Sequence, residues 1–296
     1  MSSLLEHFSL GQVDGMREAL ARGEDVNKKN ESNQTVLMFA AAASDCFFGE
    51  NAVSILRLLL AQPSIEVNLA DDQGKTALHV AAHTGNVAAV MLLLADERVD
   101  VNCKDNRQIT PFIMAAGKPE NIEIFKLLLA DKRVEMNWVA PNPTNGDVTA
   151  LMCAAWNSNV EAAKLLLDDP RVEVNWMNSR GMGVLHVAAA AQKNNLKLVE
   201  LLLAPERVDV NCKLGPLGTT VLHMAAAKNN LEVTKLILAE PRFTLHNALV
   251  SLEERSALSI AAIKGNWDVL KELVHHPSID LDVKHKNGLT VNDLLR

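Results

Sequence analysis

Nine histidines and four cysteines carry whatever acid–base, nucleophilic or metal chemistry this 296-residue chain has to offer. Their positions speak of architecture instead. His79, His186 and His223 each stand fourth in one recurring phrase (TALHVAA, GVLHVAA, TVLHMAA), so all three meet the same local surroundings. A position repeated on successive units is a poor place for an active site. His275 and His276 are adjacent, about 100° apart on a helix, and lack the i, i+4 pairing of a zinc-binding HExxH helix. No HExxH, GxSxG, Walker loop or strand-borne GxGxxG is present. The carboxylates concentrate at helix edges and in arms, where solvated charge belongs. Cys46, Cys103, Cys153 and Cys212 lie far apart with no CxxC pair, which reads as free thiols in a reducing cytoplasm or nucleus. The expectation is a non-enzyme with no catalytic residue, no metal site and no cofactor.

A hydrophobic share of 48% with 22% charged residues is ample for a packed core. Aromatics make up only 4% and tyrosine is missing, so Ala and Leu dominate, as suits helices packed closely side by side. The net charge of −7, with no concentrated basic cluster, argues against a nucleic-acid partner. The opening MSSLLEHFSLGQ has no basic stretch leading into an apolar run, so it is not a signal peptide. No apolar run approaches the roughly 20 residues of a membrane-spanning helix, and no membrane insertion is expected.

Self-similarity sets the architecture. The phrase begins at Thr35, Thr76, Thr110, Thr149, Gly183, Thr220 and Ser256, at spacings of 41, 34, 39, 34, 37 and 36 residues. A second phrase follows each first one, as in LLLADERVDVN, LLLADKRVEMN, LLLDDPRVEVN and LLLAPERVDVN. Thr76 is placed as an N-cap, and Leu78, Ala81 and Ala82 give a short first helix a thin apolar face. Gly85 and Asn86 signal a turn. Val87, Val90, Leu93 and Leu94 form one face of a second helix. The RVDVN stretch then makes a short arm. Such a unit cannot bury its face alone, and stacked neighbours make a solenoid.

The stretch TALHVAAHTGNVAAVMLLLADERVDVNCKD resembles an ankyrin repeat, and the similarity covers nearly the whole chain. The T-P-L-H start of that family is met piecemeal, by Thr110-Pro111 and by His79, His186 and His223. The arm after LLL is one residue longer than usual and often carries proline, as at Pro63, Pro170, Pro205, Pro241 and Pro277. The resemblance implies an all-α ankyrin-repeat solenoid of stacked helix–turn–helix units with short extended arms or hairpins and a concave groove. It implies one domain over residues 1–296: a capping unit over 1–34, seven full repeats over 35–289 and a truncated repeat over 290–296, either a natural cap or a cut end. It implies that the three histidines tie the turn by hydrogen bonds. Asn68, Asn102, Asn137, Asn175 and Asn211 each end an arm, with Leu eight residues earlier and an acid two before. In the family that pattern is a target of an oxygen-dependent asparaginyl hydroxylase; the competing role is bracing of the arm.

Partners of this family usually meet the arm tips and the exposed end of the first helix. In this register those positions include His83, Lys118, Trp156 and Asn157 after the Ala-Ala pair, and Ile109, Val148 and Met182 just before the capping residue. Ile109, Val148, Met182 and Trp156 are expected to form an apolar interaction patch, with Trp156 as its anchor, unless the insert 141–147 (PNPTNGD) covers it. Phe47 and Phe48, in the insert 44–50 (SDCFFGE), are either a lid or a second contact. Trp138 and Trp176 follow arm asparagines, a half-buried position in the family. The expected function is a monomeric, non-catalytic scaffold or adaptor for a protein partner. The alternative is a targeting module of a larger ubiquitin-ligase or signalling protein whose effector domain lies outside this chain.

Overall fold

A computed structural model of the protein describes residues 3–43, 49–142, 146–191, 195–215, 217–249, 255–284, 290 and 293. Phe47 and Phe48 lie outside the described residues. Packing divides the chain into two compact units, Met1–Asn142 and Pro143–Arg296. The first holds α1 (Ser3–Ser9) and α2 (Val13–Ala21), which form a helix pair without the threonine phrase, followed by three repeats. These are α3 (Val36–Ala42) with α4 (Gly49–Leu60), α5 (Ala77–Thr84) with α6 (Val87–Leu94), and α7 (Pro111–Ala116) with α8 (Ile122–Ala130). The second unit holds four pairs: α9 (Ala150–Trp156) and α10 (Val160–Asp168), α11 (Val184–Ala190) and α12 (Leu196–Leu203), α13 (Val221–Ala227) and α14 (Leu231–Ala239), α15 (Ala257–Lys264) and α16 (Trp267–His275). Among the described residues no strand forms; Lys29–Thr35 and Leu214–Thr219 are isolated bridges.

Helix boundaries follow from side-chain chemistry. The hydroxyls of Thr110 and Thr149 accept from the backbone N–H groups of Ile113 and Met152, both at 3.3 Å. The second helices use asparagine: Asn86 accepts from the N–H of Ala89 at 3.0 Å and Asn230 from that of Val233 at 3.1 Å. Each cap satisfies a donor that the first helical turn leaves orphaned and contributes about 1 kcal/mol. The same asparagines reach back one repeat. Asn86 Nδ2 donates to the carbonyl of Ala43 at 2.7 Å and Asn266 Nδ2 to that of Ala226 at 2.7 Å, at the ends of the preceding first helices.

The core is a file of small and branched residues. Leu78, Ala81 and Ala82 are buried where α5 packs between α3 and α7. On α6 the buried stripe is Ala89, Val90 and Leu93. This corrects the expected face in one respect: Val87 in the first turn is exposed, as is Met91 one turn later. A second helix packs on its own first helix and on its neighbours in the file, so its outward stripe keeps no partner within the unit. Where the chain needs bulk it uses a pair, Phe112 on α7 stacked at 5.1 Å on Phe125 of α8.

Candidate partner-binding surface

Each arm is held to the next by an asparagine. Asn68 Nδ2 donates to the carbonyl of Arg98 at 2.8 Å while its Oδ1 accepts the N–H of Asp100 at 2.9 Å. Asn102 treats Arg133 and Glu135 the same way, at 2.7 and 2.8 Å. In the second unit Asn175 bridges to Arg207 and Asp209, and Asn211 to Arg242 and Thr244. Only a side-chain amide offers a donor and an acceptor at this geometry. Asn137 is exposed at the corresponding place in its arm. The asparagines that match the hydroxylation pattern therefore stand chiefly as rungs between arms.

Arginine is the second tie, and here the structure corrects the reading of the arm charges as simply solvated. Arg98 grips Asp96 at 2.6 Å and also donates to the carbonyls of Leu60 at 2.7 Å, the last residue of α4, and of Gln62 at 3.3 Å, just past it. Arg133 does the same with Asp131 and the Leu94 carbonyl, and Arg242 with Glu240 and the carbonyls of Leu203 and Pro205. A guanidinium at a helix C-terminus answers its orphaned carbonyls and its negative dipole end together. The hydrogen bonds from Arg hold the carboxyls of Asp96, Asp131, Asp169 and Glu240 below their ordinary range. The signal was present in the triplets DER, DKR, DPR and EPR. The longer arm is what carries them.

The repeated histidines are structural ties as well. The N–H of Thr76 donates to His79 Nδ1 at 3.3 Å, which leaves the Nε2 proton to reach the Ile109 carbonyl, 2.9 Å away, in the next repeat. His186 and His223 repeat the arrangement toward the carbonyls of Thr219 and Ala248. Burial pushes all three imidazoles below their usual value, His223 to about 4. Cys103 Sγ lies 3.4 Å from His79 Nδ1 and 3.1 Å from Thr76 Oγ1, a spacing that could pass for a nucleophile and its base. Burial pushes its thiol up to about 12, so thiol and imidazole both stay neutral and the thiolate a nucleophile needs is not formed. Among the described residues no group of three or more His, Cys, Asp or Glu side chains could hold a metal, and no helix is long and apolar enough to cross a membrane.

Two arm tips show how one Asx side chain builds the turn. Asp105, buried, accepts the N–H groups of Arg107 and Ile109, both at 2.9 Å, and Asn178 accepts those of Arg180 and Met182. Tips then pack on tips. A Cβ on Gly181, whose φ is +76°, would stand 2.4 Å from the N of Gly215, so this contact admits only glycine.

The surface left over is small. In the second unit Trp156, at the C-terminal end of α9, is 49% exposed, with Asn157 exposed beside it. Val148 and Met182 are half-buried before the caps of α9 and α11. The seven residues of α9 span about 10 Å, so Trp156 stands on one rim of the inner face and Val148 and Met182 on the other. In the first unit Ile109 is half-buried and its carbonyl is taken by His79. Lys118 donates to the carbonyl of exposed His83 at 2.6 Å, and burial and then this ammonium lower the imidazole's pKa. Trp138 and Trp176 are both half-buried. The Trp138 indole donates to the Gln108 carbonyl at 2.9 Å and lies under Lys104 Nζ at 3.2 Å, so its ring is already engaged. Ile263, in the same register as Trp156 after its Ala-Ala pair, is 49% exposed, and Trp267, which the sequence register does not single out, is 64% exposed across the turn of the last helix pair. Its signal is a tryptophan one residue beyond the Gly-Asn turn, where the other repeats carry aliphatic residues.

Known proteins share this pattern. The family model for ankyrin repeats (3 copies) matches residues 6–105, 42–140, 93–178 and 185–285. A rice protein (Oryza sativa subsp. japonica) named "Probable E3 ubiquitin-protein ligase XBOS33" is 42% identical over 93 residues, 30% of this chain and 16% of that protein. Delta-latroinsectotoxin-Lt1a of Latrodectus tredecimguttatus is 32% identical over 98 residues, 33% of this chain and 8% of the toxin. Both matches thus cover a small part of a longer relative.

Proposed function

Because this chain belongs to the ankyrin-repeat family, whose repeats are protein-interaction modules, we propose that it is a non-catalytic scaffold or adaptor that holds a protein partner on its arm-tip and first-helix surface. In this reading the protein acts as a monomer in the cytoplasm or nucleus, and Trp156, Asn157, Val148 and Met182 contribute the contact in the second unit, with Ile109, Lys118 and His83 in the first. The observation that carries it is the exposed indole of Trp156. The arm and cap side chains around it are spent on neighbouring repeats, while this large aromatic is left to solvent. Tryptophan so placed is the residue most enriched among binding hot spots.

Partner capture from source-cell lysate, with the wild type and a Trp156→Glu, Met182→Glu variant, tests the reading. Proteins lost only with a folded variant support it, and equal capture by both removes the second-unit surface as the site. Against an identified partner, Trp156→Ala should cost about 2 kcal/mol or more of affinity and leave stability within about 0.5 kcal/mol. A large drop in melting temperature would mean the indole is structural.

The similarity to the rice protein favours a second reading, a recognition module within a longer ubiquitin-ligase protein. An antibody raised against this chain that detects only a much heavier band in source cells would favour it. A single band at the size of the 296-residue chain would count against it.

A further inference from the structure

Charge is not spread evenly over the second unit. Its arm arginines are consumed: Arg171 pairs with Asp169 and Arg242 with Glu240, and Arg207 donates to the carbonyls of Leu166 and Asp169. Arg180, Lys213 and Lys228 are different. All three are exposed and, among the described residues, none has an acidic partner. They lie on the inner face, on both of its rims. Arg180 and Lys213 belong to successive arm tips, which touch where Gly181 meets Gly215. Lys228 follows the end of α13, in the register that Asn157 holds after α9. The other acids of this unit stand on its second helices, as Glu161 and Asp168 on α10, Glu200 on α12, Glu232 on α14 and Asp268 and Glu272 on α16, and on the arms that follow them, as Glu173, Glu206 and Asp209. Along the first helices and tips, the acids among the described residues are Asp147 and, after α16, Asp293; Glu253 and Glu254 lie outside the described residues. A chain of net charge −7 thus turns three unspent cations and an exposed tryptophan toward one face.

Building on the inner-face reading above, we propose that the second unit takes an acidic peptide segment in extended form, with one large apolar side chain on Trp156 and its carboxylates over Arg180, Lys213 and Lys228. The spacing sets its length. Helix α9 packs on α11 and α11 on α13, and packed helices stand 8–10 Å apart, so Trp156 and Lys228 are separated by about 20 Å. An extended chain rises about 3.3 Å per residue and covers that distance in roughly six residues. The small pair Ala190 and Ala191, between the two, leaves room for the peptide backbone. Three cations so widely set, with an aromatic at one end, suit an acidic segment with an apolar anchor. Nucleic acid demands a denser row of phosphate contacts.

The test pans a phage-displayed library of random dodecapeptides on the full chain. Selected sequences are then measured as fluorescein-labelled peptides by anisotropy at low and high salt. The proteins are the wild type, Arg180→Glu/Lys213→Glu/Lys228→Glu, the Gln version of that triple, and Trp156→Glu, each checked for folding by circular dichroism and melting. The expected winners are acidic, carry a Leu, Phe or Trp, and weaken with salt. Charge reversal should weaken them at least tenfold, the glutamines by less, and Trp156→Glu by a comparable factor. Neutral or basic winners, or no winners, overturn the proposal. Winners lost with Trp156→Glu but indifferent to charge reversal overturn the acidic preference and leave the inner-face reading standing. Winners indifferent to both remove the two together. Tighter binding of a labelled uridine decamer than of any peptide also overturns it.

Discussion

The repeated imidazole serves two repeats with one ring, and it does so as a neutral group. His79 accepts from its own cap through Nδ1 and donates to the next repeat through Nε2, a role that needs one protonated and one bare nitrogen. Protonation would put a second proton where Thr76 N–H already points. With folded pKa values below the ordinary 6.5, the unfolded chain binds these protons more readily than the folded one. Stability should therefore be full above pH 6.5 and be lost as pH falls toward about 4, the value for His223. Below the ordinary carboxylate value of 3.8 the arm aspartates, held low by arginine, add a second loss. Urea midpoints that stay flat between pH 7 and 5 would refute the first window. Gly183 offers a test of opposite sign. It replaces the capping threonine in a backbone conformation any residue adopts, and a Cβ there meets nothing closer than 3.6 Å. Gly183→Thr should stabilise by about 0.5–1 kcal/mol, read from the same midpoints. The arm asparagines present their amides to the neighbouring arm, so hydroxylation would need local opening. Intact-mass analysis of native protein should show no added oxygen; such a species, placed on an arm asparagine rather than on one of the ten methionines by peptide fragmentation, would establish the modification.

At the scale of the element, an arm is a strap fastened at two points. Asparagine reads the next arm's backbone, and arginine closes the preceding second helix. Arg133→Lys keeps the charge but loses the planar fork that serves Asp131 and the Leu94 carbonyl together. It should cost about 1–2 kcal/mol, measured by chemical unfolding. Arg107→Lys is the control: its carboxylate contact is longer, at 3.4 Å, and its side chain is exposed, so the cost should stay within about 0.5 kcal/mol. Equal losses at both positions would mean that the carbonyl contacts contribute nothing.

For the molecule as a whole, stability built from contacts between neighbours permits partial unfolding. The two compact units, each with its own stack, make separate transitions the expected outcome. Single-tryptophan variants provide the probes: Trp138 reports from the first unit and Trp267 from the second. Their denaturant midpoints should differ, and the transition by circular dichroism should be broader than either. One sharp transition, coincident by every probe, would show the chain to unfold as a single cooperative body.

The repeat was legible because its determinants are local. A capping threonine, a pair of alanines, a Gly-Asn turn and a run of leucines lie within one unit, and seven copies in order leave one architecture to choose. The helices came out where those residues set them. The arm charges were not legible in the same way. Arg98 closes a helix that ended 38 residues earlier, a partner that sequence adjacency does not name. Equally, Trp138 and Trp156 are the same residue type in adjoining repeats, yet one lies beneath a lysine and the other faces water. Type and register place a side chain on an element. Whether it is spent on a neighbour or left for a partner depends on what the stacked repeat brings against it, and that is decided only when the repeats pack.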